Sequence, residues 1–65
     1  MTGIERAIQA LGGQAALAAA CGVTQPAVSR WVRQGYVPRR RWTLVAYATG
    51  VGVEDLALDM ARGGK

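Results

Sequence analysis

Glycine interrupts this chain at Gly12 and Gly13, at Gly22, at Gly35 and at Gly50, and each interruption closes a stretch with helical periodicity. Glycine enters the left-handed conformation that ends a helix without steric cost. The punctuation favours short helices packed on one another. Thr2 and Glu5 have the spacing of a capping box, and Ile4, Ala7, Ile8 and Leu11 follow on one helical face. A second helix fits Gln14 to Cys21, with Leu17, Ala18 and Cys21 on one side and Gly22 as its stop. The third has the sharpest limits. Thr24 is a good N-cap, Pro26 falls in the first turn where its missing N–H costs nothing, and Val23 and Val28 have hydrophobic-staple spacing.

Two architectures fit the second half. Pro38 can open a fourth helix running to Thr49, and Val53, Leu56, Ala57 and Met60 repeat at the spacing of a fifth. Residues 42–48 are also rich in β-branched and aromatic types, so a β-hairpin over 42–54 is the alternative, giving an α+β fold. Pro38, Gly50 and the Val53–Met60 stripe agree together on helix. The expected fold is all-α, five short helices forming one domain over residues 1–62, with Gly63, Gly64 and Lys65 as a frayed tail.

Size and composition narrow the chemistry. A chain of 65 residues buries only about 60% of its unfolded surface, which leaves little room for a deep catalytic pocket. Histidine is absent, and the four acids stand near the two ends, so no acid–base pair or metal cluster assembles. No enzyme, metal or cofactor is expected. Cys21, the lone cysteine, reads as a small buried apolar residue in a reducing compartment. No run approaches the roughly 20 apolar residues of a membrane span. Nor is there a basic-then-apolar leader, so the expected location is cytoplasmic.

Charge is distributed unevenly. Eight Lys or Arg stand against four Asp or Glu, a net charge of +4. Between Glu5 and Glu54 there is no carboxylate, yet Arg6, Arg30, Arg33, Arg39, Arg40 and Arg41 all lie there. Arg6 reads as a solvated side chain. A stretch of one sign suits a polyanion. The segment from Gln14 to Arg33 has the geometry of two helices meeting at a sharp turn, with Gly22 in the turn and Ala18 where the helices touch. At 100° per residue, Val28 and Trp31 fall on one side of the third helix, and Gln25, Pro26, Ser29, Arg30 and Arg33 on the other. That outward face can enter a DNA major groove, where Arg pairs with guanine and Gln with adenine. Thr24 and the first-turn N–H groups suit a phosphate. Arg39 and Arg40 suit flanking phosphates, and Arg41 suits either a phosphate or a structural role.

The segment resembles the helix-turn-helix of Cro-type phage repressors and of the related prophage regulators called YdaS-like. Gln14, Ala18, Gly22, Val28 and Trp31 meet the family pattern. Gly35, Val37, Pro38 and Arg41 resemble its Gly-x-Val-Pro-x-x-Arg stretch, and Ala48, Thr49 and Gly50 its Ala-Thr-Gly. The run from Asp55 to Asp59 lacks the proline that the family often carries. The resemblance implies double-stranded DNA as partner, contacted by Thr24, Gln25, Pro26, Ser29, Arg30 and Arg33, in a transcriptional repressor of phage or prophage type. A single motif reads few base pairs, so a weak homodimer on a near-palindromic operator is expected, with some of Trp42, Leu44, Val45 and Tyr47 as interface. The rival reading is an antitoxin-type regulator that also binds a protein toxin, although no segment marks a toxin site. RNA or single-strand binding needs exposed aromatic platforms, whereas Trp31 and Trp42 fall on the core side.

Overall fold

The computed structural model describes residues 2–63. It contains α1 (Gly3–Leu11), α2 (Gln14–Cys21), α3 (Gln25–Gln34), a 3₁₀ turn (Arg39–Arg41), α4 (Trp42–Thr49) and α5 (Val53–Gly63), with no strand among the described residues. The all-α expectation holds.

The caps form where the residue types place them. Thr2 Oγ1 accepts from the Glu5 N–H at 3.1 Å, and Glu5 Oε1 accepts from the Thr2 N–H at 2.8 Å. The Thr2 backbone N–H is the main reason the Glu5 carboxyl sits below the ordinary glutamate value. A lowered folded value makes this contribution complete at neutral pH, and it is lost as pH falls through that value. Thr24 Oγ1 accepts from the Ala27 N–H at 3.3 Å and opens α3. Gly22, at φ 67°, turns α2 into α3.

The second half departs from expectation at Pro38 and at Gly63. The fourth helix does not start at Pro38. The Arg41 N–H bonds to the Pro38 carbonyl at 2.8 Å, a three-residue closure that tightens Arg39–Arg41 into the 3₁₀ turn. The Trp42 indole N–H then donates to the Val37 carbonyl at 2.7 Å and fixes where α4 begins. Residues 42–49 are helical, and Gly50 at φ 82° caps α4 rather than turning a hairpin. Gly63, expected in a frayed tail, is the last residue of α5, and a Cβ there would lie 3.3 Å from the Gln34 carbonyl. Gly64 and Lys65, the rest of that expected tail, lie outside the described residues.

Leu17, Ala18, Cys21, Val28 and Trp31 are buried, as their spacing requires, together with Ile4, Ala7, Val37, Val45 and Leu56. Fully burying a side chain such as Leu17 or Val28 stabilises by roughly 1.5–3 kcal/mol. Val23 and Trp42 pack on the edge of this cluster. α2 and α3 are the most intimately packed pair of elements.

Asp59 is buried, and sequence periodicity gave no sign of it. Its Oδ1 and Oδ2 accept from the Gly3 and Ile4 N–H groups, each at 3.0 Å. The carboxylate of α5 thereby caps the positive end of α1. Glycine is required at position 3, because a Cβ would meet Asp59 Oδ2 at 2.9 Å and the Asp55 carbonyl oxygen at 3.2 Å. Nearby, Arg6 is not merely solvated. Its guanidinium pairs with Asp55 Oδ2 at 3.2 Å, a largely exposed contact worth about 0–1 kcal/mol.

Candidate nucleic-acid interface

The face of α3 opposite Val28 and Trp31 is built as the wheel requires. Gln25, Pro26, Arg30 and Arg33 are exposed, and Ser29 is half-buried. Thr24 is exposed at the helix start, with its hydroxyl oxygen engaged as the cap. Ser29 differs from the expectation of a free reading group. Its hydroxyl donates to Gln14 Oε1 at 2.8 Å, tying the start of α2 to the middle of α3. Its remaining lone pairs can only accept. Gln14 was thus missed as a member of the site, and the signal was its place at the opening of the second helix.

The structure gathers the predicted residues into two adjoining concavities that share Pro26. Gln25, Ser29 and Arg33 line one with it. Thr24 and Arg30 line the other, which Arg39, Arg40 and Arg41 border from the 3₁₀ turn. The turn therefore brings Arg39 and Arg40, both exposed, beside the start of α3. No carboxylate lines either concavity among the described residues. Asp55 is paired to Arg6 and Asp59 caps α1. Both belong to the α1–α5 contact, so the arginines around α3 keep their field. Exposed arginines thus stand with Gln25 and Ser29 around α3, and no acid lies among them.

Arg41 is half-buried and has a second effect. Burial pushes the Cys21 thiol above its ordinary value, and the Arg41 guanidinium only partly offsets this. A buried, protonated thiol is inert. Labelling by iodoacetamide at pH 8 is expected to be slow in the folded protein and fast in 6 M guanidinium chloride. Equal rates in the two conditions would contradict the placement of Cys21.

The family model described as bacterial toxin YdaS matches residues 4–62, nearly the whole described chain and every element of the site. The chain belongs to the YdaS family. Its members form a small bacterial family of helix-turn-helix type, in keeping with the sharp α2–α3 junction at Gly22. Comparison with curated proteins and with solved structures found no match. Within the YdaS match lie Gln14, the α3 face and all three arginines of the turn. Among the described residues, no helix is long and apolar enough to cross a membrane.

Proposed function

We propose that this YdaS-family protein is a sequence-specific regulator that binds double-stranded DNA, a Cro-like repressor acting as a dimer on a near-palindromic operator. The observation that supports this reading is the α3 face. Gln25, Pro26, Arg30 and Arg33 stand exposed on a helix anchored by Val28 and Trp31, with Arg39 and Arg40 alongside. α3 enters the major groove, where Arg30, Arg33 and Gln25 reach base edges, Pro26 offers apolar contact, and Ser29 accepts from an amino group. Thr24 with the helix start, Arg39 and Arg40 hold phosphates. Half-sites lie about 34 Å apart, one turn of the duplex. Occupancy excludes polymerase from the operator, as expected of a prophage regulator working in the bacterial cytoplasm. The reading is of a binding protein, with no catalytic step and no cofactor.

Selection of bound sequences from random duplexes at physiological salt tests the reading, with a palindromic consensus as the expected outcome. Arg30→Ala or Arg33→Ala should then cost roughly 1–3 kcal/mol at the matched base and relax preference there. Arg39→Ala should weaken all duplexes alike and lower the salt slope by about 1. Titrations of selected and scrambled duplexes at several salt concentrations separate the two outcomes. Uniform effects from all three changes would remove base reading from the account.

The description of the matched family as a bacterial toxin favours a second reading, in which expression of the chain arrests its host. This is compatible with DNA binding, and it stands beside the antitoxin-type reading, in which the chain also binds a protein toxin. Induced expression in a bacterial host tests it. Growth arrest that Arg30→Ala and Arg33→Ala relieve would join the two readings through one surface.

A further inference from the structure

The concavity between the start of α3 and the arginine turn is larger and less polar than phosphate contacts require. Its volume is about 660 Å³, within the range of small-molecule sites. The exposed rim is cationic, with Arg30, Arg39 and Arg40. The floor, half-buried or deeper, is largely apolar, with Ala27, Trp31, Tyr36, Pro38 and Met60 along it. Tyr36 and Met60 stand apart from the core cluster, so packing of the fold does not account for them. Tyr36 is nonetheless held in place. Its N–H donates to the Trp31 carbonyl at 3.1 Å, and its carbonyl accepts from Gln34 Nε2 at 3.0 Å. A helix lying in a major groove brings phosphates to such a rim. A duplex, however, keeps its bases stacked and offers the floor no apolar body.

We infer that this concavity is a site for a free nucleotide carrying several phosphates, and that the nucleotide excludes DNA from α3. Two features select that ligand. Arg30, Arg39, Arg40 and Arg41 line one concavity with no carboxylate beside them among the described residues, so a multiply charged anion relieves their mutual repulsion. Guanidinium groups match phosphate oxygens in geometry as well as in charge. The floor then calls for a flat body of low polarity attached to those phosphates. A nucleobase supplies it. Tyr36 offers a stacking surface, and Met60 a polarisable, adaptable wall. Arg30, Arg39 and Arg40 are the groups assigned to DNA, so one surface cannot hold both ligands. Nucleotide binding stands without the DNA-binding reading, whereas the exclusion rests on it.

Calorimetry on the parent protein with three magnesium-free ligands at fixed ionic strength tests the site. ATP should bind about tenfold more tightly than inorganic tripolyphosphate, which carries at least the same charge without a base. Adenosine should bind far more weakly than either. The Met60 methyl resonance should shift with ATP and stay in place with tripolyphosphate. Tyr36→Ala should bring ATP to the level of tripolyphosphate and leave affinity for the selected duplex unchanged, while Tyr36→Phe keeps the preference. ATP at ten times its own Kd should weaken binding of the selected duplex about tenfold. A parent that binds ATP no better than tripolyphosphate would reduce the concavity to a cluster of arginines and overturn the nucleotide site, with DNA binding untouched. Unchanged duplex affinity at that ATP concentration would overturn the exclusion. A parent that shows the ATP preference and binds no duplex would uphold the site and overturn the DNA-binding reading.

Discussion

Ala18→Glu is expected to unfold the protein. Ala18 is 4% exposed, on the face of α2 that joins the core, and α2–α3 is the tightest helix pair in the fold. A glutamate there must push the helices apart or carry an unpaired charge into the core. The second alternative costs several kcal/mol, and relaxation of the site reduces that only in part. A single core of this size rarely supplies more than about 3–5 kcal/mol of net stability. The substitution therefore exceeds what the rest of the fold can offset. Circular dichroism should show most helical signal lost at 25 °C without a cooperative melt. A melting temperature within a few degrees of the parent would mean that α2 and α3 do not meet at Ala18.

The second large effect is expected at Asp59. Its carboxylate takes both the Gly3 and the Ile4 N–H, in a site 3% exposed. Hydrogen bonds to a charged group contribute about 1.5–3 kcal/mol each, and a donor left buried without a partner adds its desolvation penalty. Asp59→Ala should cost about 3 kcal/mol or more. Asp59→Asn should recover little, because its amide presents one acceptor where two donors converge, and its NH₂ opposes an N–H. Chemical denaturation checks both. Loss of less than about 1 kcal/mol in either variant would show that α5 does not cap α1.

These two residues illustrate what the sequence could reveal. Ala18 was legible because its role follows from local spacing, four residues before the glycine of the turn. The helix limits at Gly12, Gly22, Gly35 and Gly50 were legible for the same reason, and each takes positive φ. The outward face of α3 followed from the wheel once Val28 and Trp31 marked the inside. Asp59 was not legible, since it serves backbone more than fifty residues away and local periodicity carries no record of that. Arg6 was misread for the same reason, its partner Asp55 lying on another helix. At Pro38, a fixed φ suits a 3₁₀ turn as well as an α-helix, and the Trp42–Val37 bond decided between them. The α4 sequence also permitted a hairpin. Its resolution came from Val45, fully buried among the other helices, and from Gly50 closing a helix. Within the site, the bond from Ser29 to Gln14 depends on the interhelical angle, which no single helix encodes.

The proposed function depends on α3 discriminating among base pairs. The most direct test is the ratio of affinities for the best selected duplex and a scrambled duplex of equal length and composition, measured at physiological salt. A helix face that reads bases should give a preference of about 10³ or more. A ratio near one, with both affinities falling steeply as salt rises, would reduce the protein to a basic surface that holds phosphates and reads nothing.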